Sequence, residues 1–107
     1  MTQRISAQAL EREVKKEKRL HTQREAFVVR KELREQGFNV YLVGSLAMRK
    51  FSRHDIDLLM VNGSIDELVE VVKPEKWVKT EVKSFFLKNT ALFGGANLDV
   101  FFEEGSH

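Results

Sequence analysis

Phe38-Asn39-Val40-Tyr41-Leu42-Val43-Gly44-Ser45, followed by Asp55-Ile56-Asp57-Leu58-Leu59-Met60-Val61, decide how this chain folds. The first stretch is β-branched and aromatic, nearly continuous in apolar residues and stopped by a glycine, which is the pattern of a buried strand. The second alternates carboxylate with apolar residues and then turns wholly apolar, which is the pattern of another strand. On an extended chain Asp55 and Asp57 leave the same face, about 7 Å apart along the backbone, and Ile56 and Leu58 point the other way. One face of this strand is made for a core and the other presents two acids.

Upstream, residues Ser6 to Gln36 contain no Pro or Gly and are rich in Ala, Leu, Glu, Lys, Arg and Gln, so a helical segment is expected that ends at Gly37. Eight of the ten residues from 11 to 20 are charged, and Ala7, Leu10 and Val14 make only a thin apolar stripe. This part reads as a solvated N-terminal helical arm, with Glu11 and Lys15 at a spacing that supports such a helix. Thr22 and Glu25 have capping-box spacing, so the segment is expected to break near His21 and restart as a helix with Ala26, Val29 and Leu33 on one face and Arg30 at its edge. Downstream, Ser45 to Lys50 reads as a short helix and Asn62-Gly63 as a turn. Ser64 and Glu67 form a second capping box ahead of Ile65, Leu68, Val69 and Val72, and Pro74 closes that helix. Strands are expected at Trp77 to Val82, Ser84 to Phe93 and Leu98 to Glu103, with Gly94-Gly95-Ala96-Asn97 connecting the last two. The expected fold class is α+β, a mixed sheet flanked by helices. It forms a single domain, with residues 1–36 as arm and first helix and residues 38–103 as the core. Residues 105–107, Gly-Ser-His, read as the stub of a tag.

The composition is that of an ordinary globular chain: 42% hydrophobic and 32% charged over 107 residues. A formal charge of +2 spread along the chain does not point to nucleic acid. The absence of cysteine excludes disulfides and thiolate metal sites. No stretch approaches a membrane span or a signal peptide, so the expected compartment is the cytoplasm. A domain this small would gain stability from homodimerisation.

Asp99, in Leu98-Asp99-Val100-Phe101, is an acid inside an apolar strand, where a lone charge is costly to bury. If this last strand pairs beside the Asp55-Asp57 strand, three carboxylates meet and repel one another unless a cation or proton intervenes. An all-oxygen ligand set suits Mg²⁺ (or Mn²⁺) rather than zinc. Gly44-Ser45, between a strand and a short helix, suits a phosphate, the glycine permitting close backbone approach. Arg49, Lys50 and Arg53 lie in the connecting segment and could screen triphosphate charge. By contrast, His54 reads as an exposed loop residue, and Trp77, Phe85-Phe86 and Phe101-Phe102 read as core aromatics rather than base-stacking platforms.

Gly44-Ser45 after an apolar strand, Asp55-Ile56-Asp57-Leu58 eleven residues after Gly44, and Asp99 between apolar residues together resemble the DNA polymerase beta-like nucleotidyltransferase superfamily, especially its minimal single-domain members. The resemblance spans roughly residues 38 to 103. It implies the nucleotidyltransferase fold, metal on Asp55 and Asp57 with Asp99 as the third carboxylate, and triphosphate contacts from Gly44 and Ser45. The implied reaction is transfer of a nucleoside monophosphate from a nucleoside triphosphate to an acceptor hydroxyl. Minimal members often follow the glycine-serine pair with alanine-arginine-glycine; here Ala47 is followed by Met48-Arg49-Lys50, so the arginine is displaced and the glycine is missing. The resemblance also implies a partner, since minimal members are often paired with a small helical toxin. The competing expectation is a non-catalytic binding protein or antitoxin that keeps the fold as a scaffold.

Overall fold

A computed structural model of the chain describes residues 3–4, 20–53 and 55–103. The arm expected over residues 6–19, His54 and the 105–107 stub therefore lie outside the described residues. In chain order the elements are β1 (Gln3–Arg4), β2 (His21–Thr22), α1 (Gln23–Glu35), β3 (Val40–Val43), a 3-10 turn (Ser45–Ala47), β4 (Phe51–Ser52), β5 (Ile56–Val61), α2 (Ile65–Val72), β6 (Pro74–Lys79), β7 (Phe85–Thr90) and β8 (Ala96–Glu103). This is an α+β architecture with a mixed sheet.

Both helices start where their capping residues put them. Thr22 is extended and its hydroxyl accepts a hydrogen bond from the Glu25 N–H at 3.0 Å, satisfying one of the donors that the first turn leaves open. Ser64 does the same for the Glu67 N–H at 3.3 Å. Helix α1 ends as expected, with Gly37 at φ +99° and the Phe38 N–H returning to the Leu33 carbonyl at 3.0 Å. Helix α2 ends on Lys73 in the left-handed region, and Pro74 then opens β6. Proline is tolerated as the first residue of a strand. The strand expected from Trp77 thus begins three residues earlier and stops at Lys79. Residues 80–84 form a turn closed by the Thr80 N–H to the Ser84 carbonyl at 2.8 Å.

The six-stranded sheet has the order β1-β6-β7-β8-β5-β3. Strand β5 runs antiparallel to β3 and parallel to β8, and β7 runs antiparallel to both β8 and β6. A separate two-stranded pair joins β2 to β4, with His21 opposite Ser52. Registers carry the alternation across strands, so the sheet has two unlike faces. One bears Val40, Ile56, Leu58, Met60, Leu87, Leu98 and Val100, which form a single buried cluster with Ala26, Val29 and Leu33 of α1 and Leu68 and Val72 of α2. Both described helices therefore cover this face. The cross-strand row Val43, Asp57, Asp99, Phe86 and Val78 belongs to the other face.

The aromatics divide between these environments. Phe86 is buried, whereas Trp77, Phe85 and Phe102 are partly buried against the helix-side core, with Phe85 and Phe102 edge to face at 5.6 Å. No helix among the described residues is long and apolar enough to cross a membrane. Replacing Thr22 with alanine should cost about 1 kcal/mol, seen as a fall in Tm of roughly 4–8 °C; an unchanged Tm would show that α1 does not depend on this cap.

Candidate functional site

The parallel pairing of β5 with β8 sets Asp57 directly opposite Asp99, and the antiparallel pairing of β5 with β3 sets Val43 opposite Asp57. Side chains of directly paired residues leave the same face of a sheet, so Asp57 and Asp99 are neighbours. Asp55 immediately precedes β5 and is half-buried. The cross-strand neighbourhood expected for Asp99 is therefore present, and Gly44, next after Val43, arrives beside the acids.

Gly44 could not be another residue without a rearrangement. Its φ is +74°, in the region that favours glycine. A Cβ added there would lie 3.0 Å from Cβ and Cγ of Asp57 and would overlap the Asp57 Oδ2 atom. The backbone of the glycine-serine turn thus rests directly against one of the acids.

After Gly44 the chain makes one 3-10 turn, Ser45–Ala47, rather than the helix expected to Lys50. The cause is tertiary. The side-chain amide of Gln23 donates to the Leu46 carbonyl at 3.1 Å and the Gln23 N–H donates to the Lys50 carbonyl at 2.6 Å. A helix running to Lys50 would have used the Leu46 carbonyl internally, to accept from the Lys50 N–H. Leu46 is buried and β4 pairs with β2, so the loop is fastened to the start of α1 at several points. His21, which is buried, extends that fastening to β8 by accepting the Asn97 N–H on Nε2 at 3.1 Å.

Electrostatically the site is a set of acids that burial disfavours as anions. Burial, with the charges of Asp99 and Asp57, pushes Asp55 up to about 7. Burial and the Asp99 charge push Asp57 up to about 7 as well. Asp99 is also raised by burial, an effect opposed by a hydrogen bond from Ser84. Its Oδ1 is buried with no hydrogen-bond partner. The carboxylates influence one another, yet among the described residues no set of three or more Asp, Glu or His side chains is gathered tightly enough to hold a metal ion as it stands.

Of the other expected site residues, Ser45 is half-buried, and Arg49, Lys50 and Arg53 are exposed on the loop. Two residues on this side of the sheet had no signal in the sequence. Ser84 is completely buried beside Asp99, and Lys88, also buried, lies on the same strand face as Phe86. Only strand pairing brings Ser84 near Asp99. Compared with known protein families, characterised proteins and solved structures, the chain matches none.

Two predictions follow from this geometry. Asp55 and Asp57 titrate near 7 in the folded chain against 3.8 as the ordinary value. The folded state therefore holds protons that the unfolded state has released, and the stability this confers is complete below the unfolded value and is lost as pH rises through about 7. Tm of the metal-free protein should fall between about pH 5 and pH 8, and Asp57→Asn should flatten that fall; a Tm that rises over this interval would contradict the crowding of the acids. Gly44→Ala should lower stability by about 1–3 kcal/mol through its backbone conformation alone, with more lost against Asp57, as measured by urea unfolding; an unchanged midpoint would show that the turn is not seated on this acid.

Proposed function

We propose that the chain is a metal-dependent nucleotidyltransferase with the DNA polymerase beta-like fold, moving a nucleoside monophosphate from a nucleoside triphosphate to an acceptor hydroxyl. One observation carries the reading. The Gly44 backbone is seated against Asp57, which itself pairs across β5 and β8 with Asp99. A phosphate-sized anion approaching the Gly44-Ser45 turn would therefore meet the acids, and anion and acids can share a site only if a cation lies between them.

The residues suit such a cation. The donors are oxygens only, burial and mutual repulsion disfavour their charged forms, and one Asp99 oxygen is buried without a partner. Mg²⁺ or Mn²⁺ fits this chemistry, completing its shell with water and substrate phosphates. Asp55 and Asp57 would hold it. Rotation of the Asp55 and Asp57 side chains would be needed to close them around an ion, a change available to half-buried aspartates.

In the proposed reaction the acceptor oxygen attacks the α-phosphorus, a new P–O bond forms, and the bond to the bridging oxygen of the β-phosphate breaks. Pyrophosphate leaves with that electron pair. A bound divalent cation supplies charge neutralisation to the triphosphate and the leaving group. Asp99 polarises the acceptor hydroxyl and takes its proton, a role for which a carboxylate raised by burial is suited. The Gly44-Ser45 backbone orients the triphosphate, and Arg49, Lys50 and Arg53 screen it from the loop. Met48, 88% exposed, and Phe51, 61% exposed, offer apolar surface on the same loop to the nucleoside or the acceptor. A protein such as a small helical toxin is one acceptor or partner consistent with this reading.

A second reading keeps the fold as a scaffold for a non-catalytic binding protein or antitoxin that acts through partner binding. Thermal shift separates the two. With ATP and Mg²⁺ at about 100 times Kd the native chain should gain about 2.7 kcal/mol, and Asp57→Ala should lose the metal-dependent part. Absence of any metal-dependent gain in the native chain would discard the transferase in favour of the scaffold. Incorporation of labelled nucleotide into acceptor should likewise drop by about 100-fold or more in Asp57→Ala.

A further inference from the structure

Ser84 contributes nothing to the apolar core, yet it is 0% exposed. It closes the 80–84 turn between β6 and β7, where Lys83 takes a positive φ of 64° and donates its N–H to the Thr80 carbonyl at 3.1 Å. The Ser84 hydroxyl lies 2.7 Å from the Thr80 hydroxyl, and the Ser84 N–H donates to the same Thr80 oxygen at 3.3 Å. The Ser84 hydroxyl also hydrogen-bonds Asp99.

A hydroxyl has one proton to give. With Asp99 ionised, Ser84 must spend its proton on the carboxylate, so Thr80 is the donor in the 2.7 Å contact. In that state the relay runs from Thr80 to Ser84 to Asp99, and both hydroxyl rotors are set by it. A carboxylate held through one oxygen by a fully buried donor cannot swing freely, while Asp99 Oδ1 has no hydrogen-bond partner. Buried polar atoms are ordinarily satisfied, and an exception calls for a reason.

We propose that Ser84, itself aimed by Thr80, is a positioning residue that holds Asp99 with Oδ1 reserved for the acceptor hydroxyl or the cation. The inference rests on the nucleotidyltransferase reading of the acids. Ser84 touches no reacting atom and acts through Asp99. Groups that orient a ligating or basic side chain typically change affinity or rate by about 10–100-fold when removed.

The test uses the full chain with Ser84→Ala, Thr80→Val and Thr80→Ser, measuring Mn²⁺ binding with ATP by electron paramagnetic resonance and nucleotide transfer by steady-state kinetics. Ser84→Ala should lower kcat by about 10–100-fold with KM for ATP nearly unchanged. Thr80→Val, similar in shape but without the hydroxyl, should show a smaller loss of the same kind, and Thr80→Ser should restore it. If the native chain transfers nucleotide and both Ser84→Ala and Thr80→Val match it, the positioning role is overturned while the reading of the acids stands. If the native chain neither binds Mn²⁺ with ATP nor transfers nucleotide, both are overturned. Should Ser84→Ala fail to fold, the contrast between Thr80→Val and Thr80→Ser decides the question.

Discussion

Pairing β5 alongside β8 in parallel register places Asp57 opposite Asp99, so two half-buried carboxyl groups face each other and burial and mutual repulsion disfavour their charged forms. Left to themselves these side chains favour the separated, solvated state. What holds them together is the opposite face of the same two strands, where Ile56, Leu58, Met60, Leu98 and Val100 are fully buried against Ala26, Val29, Leu33, Leu68 and Val72. A strand cannot shift register by one residue without carrying its apolar set out of the core. The hydrophobic face therefore imposes the electrostatic crowding on the polar face, and the strain of that crowding is available to whatever cation or proton relieves it.

The surrounding loops serve this arrangement. Gly44 lets the chain leave β3 at a positive φ with its backbone against Asp57, a path that any side chain would block. The loop that follows is fastened by Gln23 to the beginning of α1, and His21 links the same region to β8 through Asn97. On the other side of Asp99, the 80–84 turn buries Ser84 against the carboxylate. Both sides of the acid pair are thus made from tied loops, which suits a site whose groups must keep their places as charge arrives.

Much of this was legible in the residues because it depends on local periodicity and capping. The strand across Asp57, the two capping boxes at Thr22 and Ser64, and the end of α1 at Gly37 stand where short-range rules place them. The departures share one physical origin. The helix expected beyond Ala47 stops because Gln23, 23 residues before Leu46, takes a carbonyl that a helix would need. Strand β6 opens at Pro74 because a left-handed Lys73 ends α2 and turns the chain straight into the sheet. Trp77, Phe85 and Phe102 are only partly buried because they flank the helix-covered core rather than fill its centre.

For the site, the sequence by itself determined that Asp55 and Asp57 share a strand face and that a glycine ends the neighbouring strand, because alternation and backbone freedom are properties of a few adjacent residues. Tertiary structure alone decided that Asp99 would stand opposite Asp57, that Gly44 would press on Asp57, and that Ser84 would be buried beside Asp99. Those three contacts join residues far apart in the chain. Which strands pair, and in which register, is chosen by how the whole apolar face packs under the helices, and no local pattern carries that information.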